Sequence, residues 1–370
     1  MAIMQIPFVD LKAQYKSIRQ DIDSAISSVI ADTAFVGGER LQAFETAFAN
    51  AQGTKHCVGV ANGTDALYIT MKTLGIGVGD EVITVANSWI STSETITQTG
   101  ATPVFVDIDQ FSNIDAGLIE AAINKRTKAI LPVHLYGQPA DMNTIVQICD
   151  DNNLLLIEDC AQAHLASIDG TPVGTFGKAG TFSFYPGKNL GAYGDAGAIV
   201  CADEELALRF RRYANHGALR KHEHEIEGIN SRLDGIQAAI LSAKLPHLEE
   251  WTKARQRVAA TYCELLAGID DLILPAIAPN RSHVFHLFVV RTSHRDALRN
   301  YLSQYGVQTG IHYPTALPFL PAYRPFGCTA EQFPRAFQYQ NEILSLPLFP
   351  ELSQEQIDHV VTIVRNFFAG

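Results

Sequence analysis

Three polar sets, each beginning where an apolar run ends, have the residue types and spacing for chemistry. The first is Gly180-Thr181-Phe182-Ser183-Phe184-Tyr185-Pro186-Gly187-Lys188-Asn189-Leu190-Gly191. A lysine is ordinarily a solvated surface charge. A Pro-Gly turn after an apolar strand, set among glycines and aromatics, instead desolvates the Lys188 amine, lowers its pKa and readies it to attack a carbonyl carbon. The second is Leu154-Leu155-Leu156-Ile157-Glu158-Asp159-Cys160-Ala161-Gln162. A carboxylate at the end of a buried strand can hold a proton on a ring nitrogen, and Gln162 can hydrogen-bond a nearby phenolate. Alone, Asp159 reads equally as a cap or a metal ligand, and Gln162 as a solvated side chain. The third is Ala61-Asn62-Gly63-Thr64-Asp65-Ala66-Leu67, where a glycine and small polar residues open a helix. Backbone N–H groups and the helix dipole there favour a phosphate, with the Thr64 hydroxyl as a further donor. Alone, this is also an ordinary N-cap by Thr64 or Asp65. Together, a nucleophilic lysine, a carboxylate for a pyridinium and a phosphate cradle are the parts that pyridoxal 5'-phosphate requires.

The elements that must position these groups alternate along the chain. Helical stretches at 65–74, 93–99, 116–123 and 142–150 separate short apolar runs at 81–85, 103–106, 129–133 and 154–157. That alternation is the βαβ pattern of a mostly parallel sheet covered on both faces. Apolar segments 180–185 and 196–201 follow without a long helix between them, which predicts a mixed sheet at that end. In open α/β sheets ligands lie beyond the carboxyl ends of the strands, where all three polar sets fall. From 232 to about 266 the chain reads as helix interrupted at Pro246, whose missing N–H breaks the ladder. The expected division is a large α/β domain over 1–245 and a smaller α+β domain over 246–370. The second holds a strand at 284–291, a helix at 295–305, a Pro-rich loop at 313–325 and a terminal helix at 354–368.

Composition narrows the function classes. The 370 residues are 47% hydrophobic and 18% charged, enough for an extensive core. A formal net charge of −11 is the wrong sign for general phosphate-backbone binding, so no nucleic-acid partner is expected. The six cysteines lack any C-x-x-C pair, fitting reduced thiols rather than a disulfide framework or zinc ribbon. The start Met-Ala-Ile-Met-Gln-Ile-Pro-Phe-Val-Asp has neither basic n-region nor long apolar stretch, and no run approaches a membrane span. A cytoplasmic protein is expected, and the glycosylation-type triplets Asn62-Gly63-Thr64 and Asn280-Arg281-Ser282 carry no meaning there. His222 and His224 have ligand-like spacing but no further histidine or cysteine nearby, so no metal is expected. A nicotinamide dehydrogenase would need G-x-G-x-x-G after an early strand, which is absent. A cofactor-binding regulator would need a basic DNA-binding module, which is also absent.

The three polar sets resemble those of the DegT/DnrJ/EryC1/StrS sugar aminotransferases, a fold-type I group of pyridoxal-phosphate enzymes. The resemblance spans nearly the whole chain. It runs from Pro7-Phe8-Val9-Asp10-Leu11, through Gly79-Asp80-Glu81-Val82-Ile83 and His134-Leu135-Tyr136-Gly137-Gln138, to Gly228-Ile229-Asn230-Ser231-Arg232-Leu233-Asp234 and His312-Tyr313-Pro314. It implies that Lys188 forms the Schiff base and shuttles a proton between the substrate Cα and the cofactor. It further implies that Asp159 pairs with the pyridine N–H, Trp89 stacks on the ring and Gln162 contacts its phenolic oxygen. Thr64, the Asp65 backbone N–H and Ser183 would hold the phosphate. Asn230 would reach the phosphate bound by a neighbouring subunit, making the site a property of a homodimer.

The resemblance also implies that Arg232 meets acidic substrate groups, as a planar bidentate donor suits a carboxylate. The residue type alone reads equally as an ion pair with Asp234 or another carboxylate. His312 and Tyr313 fall where relatives contact a sugar nucleotide. The charged run Arg220-Lys221-His222-Glu223-His224-Glu225 is either a solvated loop or a contact for a diphosphate. Lys188 favours transamination over the dehydration of family members that carry histidine at that position. The expected reaction moves the amino group of L-glutamate to a nucleotide-linked 3-keto sugar, a UDP-2-acetamido-3-oxo sugar or uronate, for surface polysaccharide or lipopolysaccharide. The alternatives are C4 amination of a 4-keto-6-deoxy sugar and a dTDP-linked 3-keto-6-deoxy sugar.

Overall fold

The computed structural model describes residues 4–370. Its strands are β1 (His56–Val60), β2 (Glu81–Val85), β3 (Thr102–Val106), β4 (Thr127–Leu131), β5 (Leu155–Asp159), β6 (Ser167–Ile168), β7 (Thr171–Pro172), β8 (Ala179–Ser183), β9 (Gly197–Cys201), β10 (Phe288–Arg291) and β11 (Ile343–Leu346). Seven of them form one sheet in the order β1-β9-β8-β5-β4-β2-β3. β9 alone runs against its neighbours β1 and β8; the other pairs are parallel. The predicted mixed end of the sheet is therefore one reversed strand. β1 was not among the expected strands: Cys57-Val58-Gly59-Val60 is short and carries a glycine.

Helices α1 (Leu11–Ser17), α2 (Arg19–Asp32) and α3 (Glu39–Ala51) precede the sheet. α4 (Gly63–Thr73), α5 (Ser91–Thr99), the short α6 (Ile119–Ala122) and α7 (Met142–Asn152) are threaded between its strands, and α8 (Glu204–Ala214) follows the last of them, β9. The expected helix over 116–123 divides into a 3-10 turn at Ala116–Leu118 and the four residues of α6, because Asp115 caps the Gly117 N–H and tightens the turn. Strand periodicity distributes side chains to both faces. Val58 and Val60 of β1 and Ile199 of β9 pack with Ile69 of α4 and Phe210 of α8. Cys57, Ala198 and Val200, one residue out of phase, pack with Phe44 and Phe48 of α3. Burial on both sides explains why β9 reads as an unbroken apolar run.

The helical stretch around Pro246 resolves into α9 (Gly235–Lys244), a 3-10 turn at Leu245–His247 and α10 (Leu248–Leu265), so the proline ends one helix and begins the next. After it, α11 (Arg295–Gln304), α12 (Pro334–Glu342) and α13 (Gln354–Phe368) accompany the antiparallel pair β10–β11. The expected strand over 284–291 shortens to β10. Phe285 adopts a left-handed backbone, and the Val284 N–H donates to Gly137 O across the molecule instead of entering a ladder. Ile6 packs with Tyr262, Phe288 and Val364 and exchanges backbone hydrogen bonds with residues 306–308, so the N-terminal segment joins the C-terminal unit. In return, the Asp107 carboxylate after β3 accepts from the Arg335 and Ala336 N–H groups and anchors the start of α12 on the large sheet.

Among the described residues no helix is long and apolar enough to cross a membrane.

Candidate active site

Sheet topology brings the three polar sets to one edge. Asp159 ends β5 and pairs with Thr181 of the adjacent parallel strand β8, which ends at Ser183. Reversed β9 starts at that edge, Gly197 lying opposite Ser183 on one side and Val60 on the other. α4 then begins three residues beyond β1. These ends surround a cavity of about 580 Å³ lined by residues including Gly63, Thr64, Trp89, Asp159, Gln162, Ser183, Lys188, His312 and Tyr313.

Lys188 is half-buried on the loop after β8. Desolvation lowers its amine to about 8, although the attraction of Asp159 opposes the shift. Asp159 is buried, and desolvation raises its pKa against the opposing pull of the Ala161 N–H, Lys188 and the Thr92 hydroxyl. One carboxylate oxygen accepts from Ala161 N–H and the other from Thr92 Oγ1, both at 3.1 Å. Desolvation of the charged forms thus exceeds the mutual attraction at both groups. A cationic ring nitrogen beside Asp159 would offset that cost.

Beneath Asp159 lies a closed network. His134 Nδ1 accepts from Ala140 N–H, so its other nitrogen, Nε2, donates to Glu158 at 3.2 Å. The Glu158 carboxylate also accepts from the N–H groups of Gly174, Phe176 and Gly177. His134, Glu158 and Cys160 lie close enough for a metal ion, but the hydrogen bonds occupy both histidine nitrogens and satisfy the carboxylate. The group is a scaffold: the His134 backbone N–H donates to Asp159 O and fixes the strand end.

The phosphate end is a close approach of backbones. A Cβ on Gly197 would stand 2.4 Å from the Asn62 carbonyl carbon, and one on Gly63 would stand 2.7 Å from Ser183 Cβ. Neither position admits a side chain, so the start of α4 opens directly on the cavity. Asn62 is the N-cap, its Oδ1 accepting from the Asp65 N–H at 2.8 Å. A phosphate would therefore displace this cap to use that N–H, or draw on the N–H groups of Gly63 and Thr64, which a helix leaves without an internal acceptor. The Thr64 hydroxyl pairs with Ser91 Oγ at 2.7 Å.

Around the middle of the cavity, Gln162 Oε1 accepts from Tyr136 N–H, which turns its amide Nε2 toward Tyr313 Oη at 3.1 Å. Trp89 is exposed, its ring 5.6 Å from that of Tyr313 and tilted by 47°, an apolar face open to a planar ligand. His312 pairs with Ser345 Oγ, stacks on Phe8 and is lowered to about 4 by desolvation, so it is neutral at ordinary pH. Tyr136 was not singled out from the sequence, although it lies in the quoted segment 134–138. It has a left-handed backbone, and its hydroxyl donates to the His312 carbonyl, tying the two halves of the cavity together. His286 and Arg255, also on the wall, were missed because their segments pack against the site only after folding.

Asn230 and Arg232 are not on the cavity wall. Asn230 is exposed, and Arg232 donates to Asn215 Oδ1 at 3.3 Å rather than pairing with Asp234. The run 220–225 is exposed and does not line the cavity, with a weak Arg220–Glu223 pair at 4.0 Å.

A desolvated lysine, a buried carboxylate, an aromatic face and a helix N-terminus around one cavity define the class of pyridoxal-phosphate enzymes that work through a lysine amine. The chain belongs to the DegT/DnrJ/EryC1/StrS aminotransferase family, whose sequence pattern matches residues 16–365. It is 43% identical over 364 residues to the dTDP-3-amino-3,4,6-trideoxy-alpha-D-glucose transaminase of Streptomyces venezuelae, covering 98% of this chain and 96% of that one. It is 44% identical over 369 residues to the UDP-N-acetyl-3-dehydro-alpha-D-glucosamine 3-aminotransferase of Acidithiobacillus ferrooxidans, covering 99% and 98%. The crystal structure of S. venezuelae DesV in complex with a ketimine intermediate superposes with a TM-score of 0.97 at 43% identity, covering 99% of each chain. The protein is a pyridoxal-phosphate-dependent transaminase.

Proposed function

We propose that this transaminase carries the amino group of L-glutamate to C3 of a nucleotide-linked keto sugar, a UDP-2-acetamido-3-oxo sugar or uronate. The observation that carries the site assignment is Lys188, its amine depressed to about 8 and facing the cavity beside buried Asp159. The C3 reading is supported by relatives that are 3-amino and 3-dehydro sugar transaminases.

Lys188 has two tasks. Its neutral amine would hold the cofactor and, once freed by the amino donor, would take the proton from the substrate Cα and later return it. Bound pyridoxal phosphate supplies the electron sink for that proton transfer. Asp159, fixed by Thr92 and the Ala161 N–H, holds the ring-nitrogen proton. Gln162 donates toward the phenolic oxygen, and Trp89 covers one ring face. Ser183, Thr64 and the first N–H groups of α4, with that of Asp65 once released from its cap, hold the phosphate. Tyr313 and His312 meet the sugar. Glutamate leaves as 2-oxoglutarate and the sugar ketone oxygen is replaced by nitrogen, one water being consumed and one released.

Asn230 and Arg232, exposed and half-buried respectively and both off the wall, are assigned in this reading to the cavity of a second copy in a homodimer. We place the cavity between a cofactor unit within 1–245 and a smaller unit, 246–370, on which the segment around Ile6 packs.

The test incubates cofactor-loaded protein and L-glutamate with UDP- and dTDP-linked 3-keto and 4-keto sugars, followed by product mass and NMR. Amination at C3 of the UDP-linked 2-acetamido sugar or uronate is expected. Conversion of 4-keto sugars alone overturns the regiochemistry, and preference for a dTDP sugar overturns the substrate.

A further inference from the structure

Lys244 is fully buried near the C-terminal end of α9, where nothing in the proposed reaction uses it. Its ammonium has three N–H donors and meets three acceptors. One is Gly191 O at 2.7 Å, one is Gln14 Oε1 at 3.0 Å, and one is the face of the Tyr193 ring, whose centroid lies 4.3 Å from Nζ. None is a carboxylate. Burying an ammonium without a contacting counterion is unfavourable, and a methionine would fill a similar volume without that cost. Packing alone does not account for a lysine here.

Its acceptors show what the charge holds. The loop from Phe184 to Ala192 is closed at its base by Ala192 N–H donating to Phe184 O, and it carries Lys188 at its turn. Gly191 folds back so closely that a Cβ there would stand 2.3 Å from Pro186 O. α9 grips the segment beyond as well, Gln237 Oε1 accepting from Tyr193 N–H at 2.8 Å. The Lys188 loop has no helix or strand of its own to rigidify it; its return limb is tied at Asn189, which donates to Val284 O at 3.1 Å and pairs with His286 Nδ1 at 3.2 Å, and at Gly191 by the ammonium of Lys244.

We infer that Lys244 is a positioning residue for the transamination: it fixes the Gly191 carbonyl and so holds the Lys188 loop in the desolvated geometry that its amine needs. The inference rests on the assignment of Lys188 as the residue that bonds the cofactor. It names a residue that acts through another, reaching the loop from the end of α9.

The titratable groups facing Lys188 are Asp159, His164, His286 and His312, and those acting on Lys244 are Glu351 and Tyr193. A loop released from Lys244 admits water to Lys188 and moves its amine back toward the ordinary lysine value, leaving less neutral amine at a given pH. The experiment follows the absorbance of the lysine–cofactor linkage as pyridoxal phosphate is added to wild-type, Lys244→Met and Gln14→Met apoprotein across pH 6.5–10. Fold is monitored by circular dichroism, and the modified lysine is identified by borohydride reduction and peptide mass. The expected midpoint for the capture rate rises by about one pH unit in Lys244→Met, a roughly tenfold loss of rate below pH 8. A smaller rise is expected in Gln14→Met, which removes one of the ammonium's acceptors. A folded Lys244→Met protein with the wild-type midpoint overturns the inference. If Lys244→Met does not fold, Gln14→Met decides, a raised midpoint supporting the inference and an unchanged one overturning it. Borohydride labelling of a residue other than Lys188 in the wild type removes the underlying assignment and the inference with it, an outcome separate from an unshifted midpoint.

Discussion

At the scale of the residue, the site is governed by desolvation. Lys188 and Asp159 face the same cavity and attract each other, yet each is pushed toward its neutral form. The sign for the lysine is direct. Its folded-state value, about 8, lies below the ordinary 10.5, so neutral amine accumulates as pH rises through 8. The rate of cofactor capture by apoprotein should climb across that interval and level off above it, as read by absorbance after rapid mixing. Lys188→Ala should reduce turnover at least about 1000-fold and abolish the borohydride-stable adduct, since among the described residues no other amine lines the cavity. For Asp159 the raised pKa means that desolvation on folding disfavours the ionised carboxylate. Its ionisation therefore weakens the fold above the ordinary carboxyl range, and that cost disappears as pH falls below it. Asp159→Asn should raise the melting temperature of the apoprotein at pH 7–8 while lowering kcat by about 100-fold or more. A variant that is less stable and fully active would contradict this account.

At the scale of the element, the cradle depends on backbones that approach too closely for side chains. Gly197→Ala would drive β9 against the Asn62 carbonyl at the start of α4. It should cost about 1–3 kcal/mol of stability by denaturant unfolding, and it should weaken pyridoxal-phosphate binding more than tenfold, read by cofactor titration. The elements themselves were largely legible. The runs at 81–85, 103–106 and 180–185 are β2, β3 and β8 to within two residues, and the helix expected at 354–368 is α13. Apolar runs flanked by amphipathic stretches report their own secondary structure, because local burial periodicity produces both. β1 and β11 were missed, as was the shortening of the strand at 284–291. In those segments, pairing and backbone are settled by partners far along the chain: Gly197–Cys201 for β1, Phe288–Arg291 for β11, and Gly137 for Val284.

At the scale of the whole molecule, the cavity wall contains Lys188 and Asp159 but not Asn230 or Arg232. If those two serve a second copy, each site combines side chains from two chains. Hybrids of Asn230→Ala and Lys188→Ala subunits, formed by co-refolding, should then recover activity above either parent, because one site in each hybrid keeps both residues. Activity no greater than the parents' average would place Asn230 outside the partner's site.

The sequence by itself determined the chemistry of the parts: a lysine in a glycine-rich turn, a carboxylate ending an apolar strand and a small-residue helix start. Their types and local contexts follow from backbone conformation and burial pattern within about ten residues. Only the tertiary structure decided what surrounds them. It reversed β9 so that four strand ends share one edge, and it bound His134 and Glu158 to each other. It also brought Tyr136 to His312 and Lys244 to Gly191. Those contacts join residues up to 176 positions apart. Whether such groups meet depends on how whole layers pack, and no local periodicity records it.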